Sequence, residues 1–217
     1  MAGNFIRSFI LFLFSAMQAA AAPWGPPSGQ APTPELTARW WQWAMMHGDN
    51  GPVADTTGAR CALGQQADVW FLAGGFGSSK LRRSCVVPTG TPIFFPLVNM
   101  AFWRRPGMLG MSCSQAQKAA AVNNDTAIEL FAELDGAPYP ISEAHRIRTA
   151  DCFDIFARVP TSGAPIDGYP AASDGFWLML HSLAPGRHTL KFGGRYKHTA
   201  MDYGRMVQDI EYELLVR

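Results

Sequence analysis

The sequence predicts a mainly β protein: an antiparallel β-sandwich, immunoglobulin-like or jelly-roll, with two accessory helices. Short runs rich in Val, Ile, Phe and Trp recur along the chain, separated by turns that use many of its 21 glycines and 16 prolines. Only two segments place apolar residues at helical spacing. No period of roughly 20 to 50 residues repeats, which argues against a solenoid or a propeller.

The first 22 residues predict a secretory signal peptide. One basic residue, Arg7, precedes the apolar run SFILFLFSAM, and small residues follow it up to Ala22. The run is shorter than the roughly 20 apolar residues of a membrane-spanning helix. We therefore expect a secreted or periplasmic protein without a transmembrane segment after cleavage. A Pro/Gly-rich linker over residues 23–34 and a single domain over 35–217 should follow.

Two helices are expected. The first begins after Thr33, a suitable N-cap, with Pro34 at the first helical position. Tryptophans repeat along one face of RWWQWAM, and the breakers in HGDNGP end the helix. After an irregular loop over residues 100–112, the alanine-rich SQAQKAAAVNNDTAIELF predicts the second helix.

The strands are predicted from β-branched and aromatic runs. VWFLAGGFGSSK ends in glycines and a lysine but lacks the spacing of a phosphate-binding loop, and the prolines after it exclude a following long helix. We interpret it as a strand, a turn and a second strand. ELDGAPYPI indicates a hairpin with an Asp-Gly turn. Further strands are expected in RRSCVVP, PIFFPLVN, CFDIFARV, GFWLMLHSL, RHTLKFGGRY and VQDIEYELLVR.

The four cysteines of an exported chain predict two disulfides. Three pairings are possible. We favour Cys61–Cys85, because these residues flank the predicted VWFLAGGFGSSK hairpin, together with Cys113–Cys152. No pair has C-x-x-C spacing, so a cysteine zinc site is not favoured. A net charge of +1 gives no electrostatic reason to expect a nucleic-acid partner.

Five phrases, in this order, resemble those of a group of exported bacterial proteins: RWWQWAM, DTTGARC, VWFLAGGFG, RSCVVPTGTPIFFPLVN and DGFWLMLHSLAPGRHTLKFGG. ELDG and LAPGRHTLKF are also similar to strand phrases of extracellular immunoglobulin-like sandwiches. The first resemblance implies export from a bacterium, and the second supports the sandwich. Neither implies an activity.

The leading functional hypothesis is a binding or envelope-associated domain for a carbohydrate or a small apolar ligand, because 12% of the residues are aromatic. Trp103, in a loop beside Arg105, is the best candidate for an exposed aromatic contact. Asp55 and Asn99 border predicted strands, where they either hold turns or converge on a pocket. These four residues are the candidate ligand-binding set for a small molecule or glycan.

Two other classes of function remain open. His181 and His188 would approach each other if SLAPGR joins two strands of a hairpin, with Asp174 near the start of the first strand. Such a set can bind a divalent metal, the one cofactor considered, and would indicate a metal-dependent hydrolase or another periplasmic enzyme. No G-x-S-x-G motif supports a serine hydrolase. The remaining hypothesis is a domain that binds a protein partner.

Overall fold

The computed structural model describes residues 24, 32–77, 79–105, 107–108, 110–160, 166–197 and 206–217. The predicted signal peptide and most of the predicted linker lie outside them. The helices are α1 (Pro34–Met45) and α2 (Cys113–Asn124). The strands are β1 (Trp70–Phe71), β2 (Ser79–Val87), β3 (Ile93–Trp103), β4 (Ala127–Leu134), β5 (Ala137–Pro138), β6 (Arg146–Arg148), β7 (Ala171–Leu180), β8 (Gly186–Tyr196) and β9 (Val207–Val216).

The strands form two sheets packed face to face, which confirms the mainly β sandwich. The first sheet has the order β1-β3-β7-β6, and the second has the order β2-β9-β8-β4-β5. The sheets are mixed, because β1 pairs with β3 and β2 pairs with β9 in parallel. The expectation of purely antiparallel sheets was therefore wrong. No helix among these residues is long and apolar enough to cross a bilayer.

The burial patterns of β7 and β9 show where each sheet lies. Every residue of β7 is buried, because the second sheet covers one of its faces and α1 covers much of the other. In β9, buried and partly exposed residues alternate, because its outer face meets solvent. The main core fills the space between the sheets and includes Phe95, Leu178 and Phe192.

The tryptophan face of α1 packs on the outer face of the first sheet. Trp40 and Trp43 are almost fully buried, and the ring of Trp40 lies 5.4 Å from that of Trp177. The rings of Phe94 and Trp177 stack at 5.1 Å beneath the helix. The predicted cap is confirmed, because the Thr33 side chain accepts a hydrogen bond from the Leu36 amide at 3.3 Å.

Two predicted hairpins were wrong. VWFLAGGFGSSK runs from β1 in the first sheet to β2 in the second, and SLAPGR likewise joins β7 of the first sheet to β8 of the second. Both connections therefore cross the sandwich instead of folding a strand back on its neighbour. The hairpin predicted in ELDGAPYPI is confirmed, because Asp135 and Gly136 both adopt positive φ between β4 and β5.

One predicted strand is absent from the described residues, and two element boundaries differ from expectation. CFDIFARV forms turns instead of a strand, because the Asp154 carboxylate accepts hydrogen bonds from the amides of Phe156 and Gly168. α2 ends at Asn124, and TAIELF enters β4 instead of extending the helix. β3 continues to Trp103, so the first residues of the predicted loop over 100–112 belong to a strand.

Both predicted disulfides are present. Cys61 pairs with Cys85 and Cys113 pairs with Cys152, with Cα separations of 5.9 and 5.7 Å. The first bond does not close a hairpin. It ties the DTTGARC turn to β2, where the Ser84 amide also donates to the Thr57 carbonyl at 2.9 Å. Two disulfides are typical of proteins that fold in an oxidising compartment.

Candidate functional site

A small, largely apolar cavity of about 120 Å³ lies between α1, the glycine-rich segment 74–77 and β3. Its apolar walls include Trp40, Trp41, Met45, Phe76, Met100 and Met206. The cavity arises where β1 ends at Phe71 and the chain leaves β3 to cross to the second sheet. β3 continues beyond this point, and α1 lies over the gap that remains.

One buried side chain anchors the glycine-rich wall. Gln208, on β9, accepts a hydrogen bond from the Gly75 amide at 2.7 Å and donates one to the Gly77 carbonyl at 2.5 Å. A Cβ atom at Gly74 would lie 2.9 Å from the Gln208 Oε1 atom, so glycine permits this close approach. Phe76, between the two anchored glycines, is 58% exposed.

A buried guanidinium fixes the same wall from beneath. Arg83, on β2, donates to the carbonyls of Ala73 and Gly74, both at 2.8 Å, and to those of Val53 and Asp55. Val53 and Gly74 line the cavity. Arg83 therefore holds two separate wall segments on the second sheet.

Asn99 is the one residue with an amide or charged side chain among the described residues that line the cavity. The Nδ2 group of Asn99 is buried and has no hydrogen-bond partner anywhere in the described part of the chain. The two lining indoles are already satisfied: Trp40 Nε1 donates to the Leu72 carbonyl at 2.9 Å, and Trp41 Nε1 donates to Ser173 Oγ at 3.0 Å. An unpaired buried donor costs about 1–3 kcal/mol, so Asn99 carries the unmet polar group among the described lining side chains.

The other three predicted ligand-binding residues do not line this cavity. The Asp55 carboxylate accepts from the Thr57 and Arg60 amides at 2.8 and 2.7 Å and so closes a turn. Burial alone would raise the pKa of Asp55, but these hydrogen bonds outweigh it and hold the pKa below its usual range. Trp103 lies at the end of β3, with the Arg105 guanidinium 5.6 Å from its ring.

The structure does not bring the three predicted metal ligands together. Asp174 lies within β7, where it forms ion pairs with Arg146 and Arg148 at 2.9 and 2.8 Å. Burial raises the pKa of Asp174 against the opposing effect of the two arginines. His181 follows seven residues later, just beyond the end of β7, and this extended span places its Cα atom roughly 23 Å from that of Asp174.

His188 is also engaged elsewhere. Its Nδ1 atom lies 2.7 Å from the Asp135 carboxylate, and its Nε2 atom lies 2.9 Å from the Ala184 carbonyl. Within the described part of the chain, no three His, Cys, Asp or Glu side chains are grouped as metal ligands would be.

Two residues that support the cavity wall, Gln208 and Arg83, were not predicted, although the alternation of their strands indicates that both are buried. Gln208 is a polar residue in the buried phase of the alternating VQDIEYELLVR strand. Arg83 likewise shares the inward phase of β2 with Cys85 and Val87. A polar side chain in an apolar phase needs buried partners, and here those partners are the cavity walls. Met100 and Met206 have no comparable signal, because they meet only in the folded chain.

Comparison with models of known protein families gave no match to the chain, and comparison with curated proteins gave none either. Among solved structures, the cysteine protease inhibitor EhICP2 from Entamoeba histolytica is similar over 62% of this chain and 84% of its own. The identity is 12% and the TM-score is 0.22. A likeness this weak supports no inference about fold or activity.

Proposed function

We propose that this protein is an exported, disulfide-stabilised binding domain whose ligand is a small, mostly apolar molecule with one hydrogen-bond acceptor. The ligand occupies the cavity between α1 and segment 74–77. The observation that carries the proposal is the buried, unpartnered Nδ2 group of Asn99 in a wall whose other side chains are aromatic, thioether or aliphatic. Apolar cavities with a few placed polar groups are the usual form of small-molecule sites.

The volume limits the size of the ligand. An engineered apolar cavity of about 150 Å³ in another protein binds benzene, so about 120 Å³ suits a single ring or a short branched chain. A carbohydrate fits less well, because its hydroxyl groups need several polar partners and Asn99 offers one amide. The expected dissociation constant for so small a ligand is roughly 0.1–1 mM.

Asn99 sets the chemical preference. A ligand with an acceptor satisfies the Nδ2 donor, whereas an apolar ligand of the same shape leaves it unpaired at a cost of about 1–3 kcal/mol. This cost corresponds to a roughly five- to 150-fold difference in affinity. The role of Asn99 is therefore discrimination between ligands of equal size.

Cyclohexanone and methylenecyclohexane test this role, because they share one shape and only the ketone has an acceptor. We expect the ketone to bind at least about fivefold more tightly in titrations followed by tryptophan fluorescence. Asn99→Leu keeps a side chain of similar size and removes the amide donor, so it should abolish the preference. Equal binding of the two compounds to the wild-type protein would contradict the proposed role of Asn99.

A cavity-filling pair of variants tests the location. Ala44 is 3% exposed and lines the cavity, whereas Ala38 lies on the same helix and does not. Ala44→Leu should abolish binding of both compounds, and Ala38→Leu should leave it unchanged. Circular dichroism of both variants checks that overpacking has not unfolded them. Unaltered binding to a folded Ala44→Leu variant would exclude this cavity as the site.

A further inference from the structure

A second concave site lies on the opposite side of the molecule, on the outer face of the second sheet. It is a groove of about 560 Å³ formed by β2, β9, β8 and the turn segment 58–62. The proposed small-ligand cavity lies beyond the first sheet, under α1. The two sites share no lining residue, so an inference about the groove is independent of the proposed function.

Strand register places two rows of side chains across the floor of the groove. Val86 on β2 lies opposite Leu215 on β9, which lies opposite Arg187 on β8. The neighbouring row, two residues away along each strand, consists of Ser84, Glu213 and Thr189. Adjacent strands lie about 4.8 Å apart, so each row spans about 10 Å. Val86 is 43% exposed, so part of this apolar floor faces solvent.

The side wall of the groove is held in place covalently. Turn segment 58–62 lies along β2, and the Cys61–Cys85 disulfide links the two. Gly58 approaches so closely that a Cβ atom there would lie 2.2 Å from the Ser84 carbonyl oxygen. The groove is therefore formed before any ligand arrives, which lowers the entropic cost of binding.

The charges in the groove are satisfied except at one end of the apolar row. Glu213 forms an ion pair with Arg82. Both ring nitrogens of His188 face acceptors, on Asp135 and Ala184. The exposed Arg187 forms no ion pair or side-chain hydrogen bond with another described residue. The groove thus combines an apolar strip with an unpaired cation at its end.

We propose that this groove binds a carboxylate-bearing amphiphile, a medium-chain fatty acid. The alkyl chain lies along Val86 and Leu215, and the carboxylate pairs with the Arg187 guanidinium. A row of about 10 Å accommodates an extended chain of roughly octyl length. Glu213, already paired with Arg82, does not compete for the guanidinium and lies in the neighbouring row.

Octanoate and octan-1-ol, titrated into ¹⁵N-labelled protein below their aggregation limits, test the proposal. We expect saturable amide shifts confined to residues 84–87, 187–189 and 213–215. Octanoate should bind about tenfold more tightly than the alcohol. Arg187→Gln should remove that preference. Lys191→Gln, which removes a cation paired with Glu133 outside the groove on the same strand, should retain it.

Three results would overturn the proposal: no saturable shift at millimolar octanoate, equal affinity for octanoate and octan-1-ol, or an unchanged preference in Arg187→Gln. Val86→Thr keeps the side-chain shape and should weaken both ligands several-fold, because it makes the strip polar. The Ala44→Leu variant should bind octanoate like the wild type. Loss of octanoate binding in that variant would instead place the amphiphile in the cavity under α1.

Discussion

Replacing Arg83 with methionine tests whether one buried guanidinium holds the cavity wall on the second sheet. Arg83 is 1% exposed, and it donates to the carbonyls of Val53, Asp55, Ala73 and Gly74. Methionine fills the space of the arginine stem but donates no hydrogen bond. The substitution therefore removes the bonds without leaving a large void.

The expected cost follows from the carbonyls that lose their donor. The Ala73 carbonyl keeps a hydrogen bond from the Tyr212 hydroxyl at 2.9 Å. The carbonyls of Val53, Asp55 and Gly74 therefore lose the guanidinium donor. At about 1–1.5 kcal/mol each, the loss is roughly 3–4.5 kcal/mol. Part of this is offset, because a charge no longer has to be buried. We expect the free energy of unfolding to fall by about 3 kcal/mol.

Urea unfolding at pH 7, followed by tryptophan fluorescence, measures this change. Arg82→Met is the matched control, because its side chain is 69% exposed and pairs with Glu211 and Glu213 on the outer face. That variant should lose less than about 1 kcal/mol. A midpoint shift of about 1 M urea for Arg83→Met corresponds to the expected loss. If the two variants unfold within about 1 kcal/mol of each other, the structural role assigned to Arg83 is wrong.

Three further predictions concern stability. Burial of His188 lowers its pKa, but the hydrogen bonds to Asp135 and the Ala184 carbonyl outweigh this effect and raise it. The protonated His188 therefore stabilises the folded state fully below the ordinary histidine pKa of about 6.5, and this stabilisation is lost as pH rises through the raised pKa. The melting temperature of His188→Gln should lack this pH dependence. A variant whose melting temperature varies with pH as the wild type does would refute the prediction. Replacing Cys61 and Cys85 together with serine, which opens a loop with a sequence separation of 24, should cost about 3 kcal/mol in urea unfolding, and a loss below about 1 kcal/mol would contradict this. Thr33→Ala should cost about 1 kcal/mol by removing the α1 cap, and an equal effect of Thr33→Ser would show that the hydroxyl is not responsible.

Elements that depend on residues close in sequence, such as a capped helix or a tight turn, could be predicted from the sequence. α1 could be predicted because Thr33, Pro34 and the tryptophan spacing all indicate one helix with one buried face. The turn at Asp135 and Gly136 could be predicted because the Asp-Gly dipeptide is typical of a short hairpin loop. CFDIFARV was misjudged because its alternation matches a strand, whereas the side chain of Asp154 satisfies backbone amides in a turn.

Sheet membership could not be predicted from the sequence. The two connections interpreted as hairpins cross between sheets, and whether a strand pairs with its chain neighbour or with a distant strand depends on the packing of the whole core. The disulfide at Cys61 and Cys85 was predicted correctly for a reason that the structure does not support. The bond connects a turn to the edge of β2 and does not close a hairpin.

The candidate site was only partly predictable, for the same reason. Asn99 is a polar residue at the end of an apolar phrase, which marks it as a candidate, and the structure places it at the cavity. The thioethers of Met100 and Met206 come from distant parts of the chain, and methionine in an apolar run carries no signal beyond burial. The aromatic composition favours Trp103 as a ligand contact. In the structure Trp103 instead packs against Phe156 outside the cavity, with ring centres 6.0 Å apart.

The central claim is that the cavity under α1 admits a small ligand, and methyl NMR of ¹³C-methyl-methionine protein tests it most directly. On addition of cyclohexanone, the methyl signals of Met45, Met100 and Met206 should shift together and saturate, because these residues line the cavity. Met179, buried in the same helix-facing core but outside the cavity, should not shift, and Ala44→Leu should abolish the response. No shift in the three lining methyls, or an equal shift in Met179, would contradict the account.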